Sequence, residues 1–174
     1  MTEMAFAAAD TATEQYLSFE LAGEQYALGI LQVKEILRYE VVTAVPGAPL
    51  GVHGVLNLRG AVVPIIDLAV RLGLAPTEIG ARTCIVVVEA VRDGAPLTMG
   101  VLVDSVRQVL DVAEHEIQPP PDFGAGVAVE HLRGMVRQGG RFALLLELDT
   151  VLSRESLAAS AAGAAEWLAM EAES

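Results

Sequence analysis

The chain has 174 residues, of which 53% are apolar, and it carries 23 acidic against 11 basic side chains, for a formal net charge of −12. An acidic protein repels phosphate backbones and anionic lipid surfaces, which argues against a nucleic-acid partner. Charge or proline interrupts every apolar stretch before it reaches 18 residues, so we predict no membrane span. The N-terminus lacks a basic segment and Cys84 is the single cysteine, so we expect a cytoplasmic protein without a signal peptide or a disulfide.

The first quarter of the chain is predicted to form short strands after a loose tail at residues 1–14. The segments YLSFEL and, beyond a glycine turn, YALGI alternate in the manner of half-buried strands. In the segment LQVKEIL, Val33, Ile36 and Leu37 follow helical spacing, which predicts one or two turns of helix. The segment VVTAV that follows is predicted to be a strand.

The segment GVLNLRGAVVPIIDL, Gly54 to Leu68, is predicted to be a buried hairpin, because two apolar runs flank one Arg-Gly corner. Arg59 is the only charged residue between Val55 and Ile66. Pro64 lacks an N–H, so we expect it at a sheet edge or a bulge.

The second half repeats this pattern with the strands CIVVVEAV and LTMGVLV, joined at Asp-Gly, and with MVRQ and RFALLLEL, which flank Gly-Gly. The region around Gly29 resembles the region around Gly100, and Leu58-Arg59-Gly60 recurs as Leu132-Arg133-Gly134. The fold is therefore predicted to be mainly β, with two similar small antiparallel barrels packed together. Whether the chain ends cross between the lobes stays open.

Composition divides the chain into three parts. Residues 1–14 are predicted to be a flexible tail, and residues 15–153 one domain with two β-lobes. Residues 154–174 are alanine-rich and are predicted to be a C-terminal helix or a tail.

No catalytic constellation is recognisable in the sequence. There is no G-x-S-x-G or phosphate-binding G-x-x-x-x-G-K motif, and the glycines near residue 124 lack the third glycine of a dinucleotide site. The three histidines, His53, His115 and His131, are widely separated, so we predict neither a metal site nor a cofactor. An alternative stays open, in which a pocket between the lobes binds a small molecule or performs catalysis with Glu147, His131 or Cys84.

What remains in the sequence is a set of candidate contact residues. Arg59, next to Gly60, presents a forked donor array at a corner and is either a solvated turn residue or an interface anchor. Val33 and Glu35 are either ordinary packing and surface residues or contact residues. Phe123 follows three prolines and one aspartate on a predicted loop, where an aromatic side chain either contacts a partner or covers a lobe.

From Gln15 to Ser153 the chain resembles the CheW family of chemotaxis coupling proteins. The most specific part is VPGAPLGVHGVLNLRGAVVPIIDL, and it is supported by YALGILQVKEIL before it and by GVLVDSVRQVLDV, EIQPPPDF and LRG after it. The resemblance implies two SH3-like five-stranded β-barrel lobes around a shared hydrophobic core, with short helices. It also implies a non-enzymatic adaptor that couples methyl-accepting chemoreceptors to the CheA histidine kinase without entering the membrane.

The resemblance further implies a set of partner-binding residues. The arginine of Asn-Leu-Arg-Gly corresponds to Arg59, and the following glycine is Gly60. Val33 and Glu35 match positions implicated in partner contact, and Phe123 matches an aromatic residue that faces the kinase regulatory domain. The segment with Val101, Val103 and Val106 is expected to help line an apolar groove that holds the helical tip of the receptor.

Overall fold

The computed structural model describes residues 13–48, 51–92, 94–119 and 131–152, and in this part of the chain ten strands form two five-stranded sheets. The strands are β1 (Thr13–Leu21), β2 (Glu24–Gly29), β3 (Val33–Arg38), β4 (Val52–Leu58), β5 (Ala61–Asp67), β6 (Cys84–Arg92), β7 (Ala95–Val103), β8 (Ser105–Ala113), β9 (Leu132–Gln138) and β10 (Arg141–Leu146). The short helices are the 3₁₀ turns η1 (Ile30–Gln32) and η2 (Glu114–Glu116) and the α-helical turns α1 (Leu68–Arg71) and α2 (Leu148–Val151). The mainly β fold predicted from the sequence is confirmed.

The two sheets exchange strands between the halves of the chain. One sheet has the order β8-β1-β2-β10-β9, and we call it, with α2, lobe 1; the other has the order β3-β6-β7-β5-β4, and we call it, with α1, lobe 2. The described chain therefore begins in lobe 1, crosses at η1 into lobe 2, and returns between β7 and β8. Strands from both ends of the described chain thus belong to the same lobe, which answers the question that the sequence left open.

Each sheet curls so that the segment following one edge strand pairs with the opposite edge strand. We call this line of contact the seam of the lobe. In lobe 2, Thr43, beyond β3, pairs with Val55 of β4; in lobe 1, Gln118, beyond β8, pairs with Met135 of β9. Both seams are tight because a glycine lies at the crossing. A Cβ on Gly54 would lie 2.5 Å from the Thr43 carbonyl oxygen, and a Cβ on Gly134 would lie 2.7 Å from the Gln118 carbonyl oxygen.

The hydrophobic core has three parts because the central strands bury both faces. Alternate residues of β7 point into lobe 2 or toward lobe 1: Leu102 belongs to the lobe 2 interior, whereas Val101 and Val103 belong to the core between the lobes. Similarly, Tyr16 of β1 lies inside lobe 1, whereas Leu17 and Phe19 face the core between the lobes. This arrangement explains the continuous apolar runs in the sequence, which are typical of strands covered on both sides.

The lobes are related by an internal repeat. The seam pairs at Val55 and Met135, the hairpin turns at Arg59 and Gly139, and the N-caps of α1 and α2 at Asp67 and Glu147 are each separated by 80 positions. The duplication predicted from the sequence is therefore present, but one of its supporting matches is wrong. Arg59 lies in the β4–β5 turn, whereas Arg133 lies within strand β9 and pairs with Glu14 at 3.1 Å.

The helix predicted for the segment LQVKEIL is wrong. Only the 3₁₀ turn η1 forms, and the chain then enters strand β3, in which Val33, Glu35 and Leu37 are half-buried and the residues between them are exposed. The apolar spacing predicted the wrong element because the strand alternation is disguised: Ile36, on the exposed face, is apolar and 44% accessible, and Glu35, on the half-buried face, is charged and paired with an arginine.

Two smaller predictions about strands also differ from the structure. In the segment VVTAV, only Thr43 forms a bridge, and no strand is present there. Pro64 is on β5, which has β4 on one side and β7 on the other, so it is not on an edge strand. The missing N–H is tolerated because the pairing of β5 with β7 begins at Ile65.

A buried arginine contributes a polar contact between the lobes. Arg71, at the end of α1, is 5% exposed, and its Nη2 donates to the backbone oxygen of Val151 in α2 at 3.1 Å. Burial lowers the pKa of the Arg71 guanidinium. Positions 71 and 151 are equivalent in the repeat, so this contact joins corresponding helical turns of the two lobes.

The glycines at the seams provide a test of the closed sheets. We expect Gly54→Ala and Gly134→Ala each to lower the free energy of unfolding by about 1–3 kcal/mol, because the added Cβ forces two backbone segments apart. Urea denaturation measures this change. Gly80→Ala is the control, since its Cβ would point into open space, and we expect a change within about 0.5 kcal/mol. If the seam variants were as stable as the control, the tight crossings would be irrelevant to stability.

Candidate functional site

The sequence-predicted corner is a two-residue hairpin turn between β4 and β5. Leu58 pairs with Ala61, and the two turn residues, Arg59 and Gly60, have φ angles of 52° and 88°. Positive φ at both central residues is typical of a type I′ turn, whose twist suits adjacent antiparallel strands. The Gly60 N–H donates to Oδ1 of Asn57 at 3.0 Å, which holds the turn from inside.

Arginine is an unusual residue for this backbone conformation. A residue with a Cβ in the left-handed region is disfavoured by roughly 1–2 kcal/mol, and glycine or asparagine normally occupies such a position. The equivalent turn of lobe 1 is Gly139-Gly140, and the β1–β2 turn has Ala22-Gly23 with φ angles of 53° and 84°. The turn therefore does not require arginine, and the reason for Arg59 lies in its side chain.

The side chain of Arg59 forms an ion pair with Glu35 of β3. Arg59 Nη2 donates to Glu35 Oε2, and the side chains are 73% and 30% exposed, respectively. The pair spans the seam of lobe 2, because β3 and β4 are the two edge strands of its sheet. An exposed pair of this kind contributes about 0–1 kcal/mol to stability, so its main effect is to orient a guanidinium that stays open to solvent.

The same part of lobe 2 exposes several apolar side chains. Val33 is half-buried against the core between the lobes, and Ile36 on β3 is partly exposed. Val62, three residues beyond Arg59, is 69% exposed, and Val41, after β3, is 88% exposed. We call Val33, Glu35, Arg59 and Gly60 the corner surface. Val62 was not singled out from the sequence, although the period-2 alternation from the turn places Val63 inward and Val62 outward.

The valines expected to line a groove are placed differently. Val101 and Val103 have no exposed surface and lie in the core between the lobes, so in this conformation a partner cannot contact them directly. The family resemblance implied that they are contact residues, and the sequence does not show otherwise, because a strand with two apolar faces gives no sign of which face is covered. Val106, on β8, is partly exposed and packs at the margin of the same core. Phe123 lies outside the described residues, as does the C-terminal segment predicted to be a helix.

A cleft of about 370 Å³ lies in lobe 1 beside η1. The N-terminal part of β1, η1, Arg133 and Glu147 contribute to its walls. Tyr16 lies in this cleft, and burial, together with the hydrogen bond to Glu14, raises the pKa of its phenol to about 12. The phenol therefore stays protonated at physiological pH and is a poor candidate for a general base.

The three residues of the enzymatic alternative do not converge on this cleft. Glu147 lines it, and the Glu147 N–H donates to the backbone oxygen of His131. Cys84 begins β6 in the other lobe, where its Sγ lies 3.4 Å from the backbone oxygen of Arg82. Within the described ranges, no group of three or more His, Cys, Asp or Glu side chains is arranged to hold a metal ion. No helix in this part of the chain is long and apolar enough to span a bilayer.

Comparison with known proteins agrees with this architecture. The model of the CheW-like domain matches residues 15–156. The chain is 34% identical over 151 residues to the chemotaxis protein CheW of Klebsiella aerogenes, with 87% of this chain and 89% of that protein covered. It is 36% identical over 141 residues to CheW of Rhizobium meliloti, covering 81% and 88% of the two chains.

A more distant relative and a solved structure extend the comparison. Protein FrzA of Myxococcus xanthus is 30% identical over 138 residues, with 79% of this chain and 83% of that protein covered. The crystal structure of the scaffolding protein TtCheW from Thermoanaerobacter tengcongensis superposes with a TM-score of 0.71 at 28% identity, covering 80% of this chain and 87% of that one. Two barrel-like lobes on a shared core and a family model that spans nearly all of the described residues lead to one conclusion: the chain belongs to the CheW-like family of chemotaxis scaffold proteins.

Proposed function

We propose that this protein is a non-enzymatic adaptor that couples the cytoplasmic tip of methyl-accepting chemoreceptors to the regulatory domain of a CheA-type histidine kinase. It acts in the cytoplasm, recruited to membrane-associated receptor arrays. Membership of the CheW-like family supports this assignment, and so do the relatives that are named chemotaxis protein CheW.

The single observation that carries the proposed binding site is the arginine at the β4–β5 turn. Glycine would suit this turn better and occupies the equivalent turn of lobe 1, yet here Arg59 has a positive φ. Its guanidinium is oriented by the hydrogen bond to Glu35. A guanidinium that is exposed, oriented and always charged is suited to anchor a partner, because it presents several N–H donors in a fixed plane.

The mechanism that follows is rigid scaffolding. The corner surface lies on β3 and on the β4–β5 turn, and both rest on the buried interior of lobe 2 and the core between the lobes. Close-packed interiors transmit displacement because they have few voids to absorb it. A movement of the receptor would therefore reach the kinase through the body of the protein. Phe123 remains the proposed kinase contact, and Val106 the proposed receptor contact.

Replacing Arg59 separates binding from folding. Arg59→Ala should change the free energy of unfolding by at most about 0.5 kcal/mol, because Ala22 already occupies the same conformation in the β1–β2 turn. The same variant should weaken partner binding by roughly 2 kcal/mol or more if Arg59 is an anchor. Urea denaturation measures the first quantity, and calorimetric titration with a kinase regulatory domain and with a receptor-tip fragment measures the second.

Arg141→Ala is the matched control for this experiment. Arg141 follows the equivalent turn of lobe 1, is similarly exposed, and faces Glu24 at 3.7 Å. We expect its replacement to leave both affinities within twofold. Unchanged affinity of Arg59→Ala for both partners would remove Arg59 from the interface and, with it, the proposed site.

The ion pair between Arg59 and Glu35 should matter more for binding than for stability. A double-mutant cycle with Arg59→Ala and Glu35→Ala should give a coupling free energy of at most about 1 kcal/mol in urea denaturation. That coupling should decrease between 50 mM and 1 M salt, because the pair is exposed and the Debye length falls to about 3 Å. A large, salt-independent coupling would contradict the role of Glu35 as an orienting residue and would instead make the pair a structural contact.

A further inference from the structure

We propose that Asp149 is a positioning residue that holds η1, and through it the start of β3, in the orientation that the corner surface needs. The inference rests on the proposed function of that surface. Asp149 belongs to lobe 1, lies far from Arg59 along the chain, and is not part of the corner surface.

The geometry joins three elements at one carboxylate oxygen. Asp149 is in the first turn of α2, and its Oδ1 accepts from Nε2 of Gln32 in η1 at 3.2 Å. The same oxygen accepts from the backbone N–H of Val91 on β6, also at 3.2 Å. One side chain of lobe 1 thereby contacts both the crossover turn and a central strand of lobe 2.

The position of this contact on the sheet explains its effect. Strand β3 pairs with β6 from Arg38–Cys84 to Val33–Val88, and the chain before Val33 turns away into η1. Three residues beyond the last of these pairs, the Val91 N–H is held by Asp149. The Asp149 carboxylate thus accepts a hydrogen bond from the part of β6 that extends beyond its pairing with β3.

A short path of contacts leads from Asp149 to the corner surface. Gln32 directly precedes Val33, and the Val33 N–H closes η1 by donating to the backbone oxygen of Ile30. Two residues further along β3, Glu35 holds the guanidinium of Arg59. If η1 loses its anchor, the first residues of β3 lose their fixed starting point, and the orientation of Glu35 and Arg59 loosens with them.

The path is testable with a charge change and its rescue. Gln32→Glu keeps the size of the side chain but places a second carboxylate against Asp149, so the hydrogen bond becomes a repulsion. Adding Asp149→Asn restores a donor: the amide nitrogen of the new side chain donates to the introduced glutamate, while its oxygen still accepts from Val91. A residue important only for general packing would not be rescued in this way.

Two readouts follow the change independently. Hydrogen exchange of the Val33 and Val91 amides reports on η1 and on the Asp149 contact, and titration with the kinase and receptor fragments reports on the corner surface. We expect Gln32→Glu to raise the exchange rates of both amides at least about threefold and to weaken binding of at least one fragment by a similar factor. The double variant should return both quantities to within twofold of the unmodified protein.

The chain offers a matched control. Gln15 on β1 donates to Asp111 of β8 at 3.1 Å in an exposed position and lines the same cleft as Gln32, so Gln15→Glu creates a similar repulsion without touching the contact between Gln32 and Asp149. It should change neither the two amides nor the affinities.

The outcomes separate the two proposals. Unchanged exchange at Val33 in Gln32→Glu, or failure of the double variant to rescue, overturns the role of Asp149. Faster exchange with unchanged affinities also overturns it, because the contact would then be structural only. Failure of the proposed function is seen separately, as unchanged affinity in Arg59→Ala, and the exchange experiment does not depend on that result.

Discussion

The structure depends on the exchange of strands between the two halves of the chain. Lobe 2 is built from β3 to β7, whereas lobe 1 needs β1 and β2 from one end of the described domain and β8 to β10 from the other. The sheet of lobe 1 therefore does not form without strands from two separated segments of the chain. The core between the lobes contains alternate residues of β1, β6 and β7, so the same strands that line each barrel-like interior also join the lobes. The result is a body with little freedom between its parts.

This constraint suits the role of a scaffold protein, because it fixes the surface that the protein presents. The corner surface lies at a seam of lobe 2, where the chain is held by a tight crossing at Gly54 and by the ion pair between Glu35 and Arg59. Its residues are therefore held by contacts within lobe 2. Val62, three residues beyond Arg59 on the same hairpin, is an exposed apolar residue.

Much of the fold was predictable because its signals are local. The alternation in YLSFEL and the dipeptides at the hairpin turns depend only on neighbouring residues, and they placed β1, β6, β7, β9 and β10 correctly. The pairing of Glu35 with Arg59 was not predictable, because the two residues meet only after the sheet curls. Strand β3 was mistaken for helix because its half-buried face contains Glu35, whose partner Arg59 is distant in sequence, and its exposed face contains the apolar Ile36. The burial of Val101 and Val103, which the family resemblance had assigned to a groove, could not be predicted either, because two buried faces of one strand have the same composition.

The corner turn gives a nearly symmetric molecule a direction. The repeat makes the two ends similar in backbone, yet one hairpin turn ends in a charged fork and its counterpart ends in two glycines. A partner that recognises the charged side chain of Arg59 can distinguish the two lobes, even though their backbones are similar. A single arginine in place of the glycine that this turn favours is thus enough to give a repeated fold two distinguishable ends.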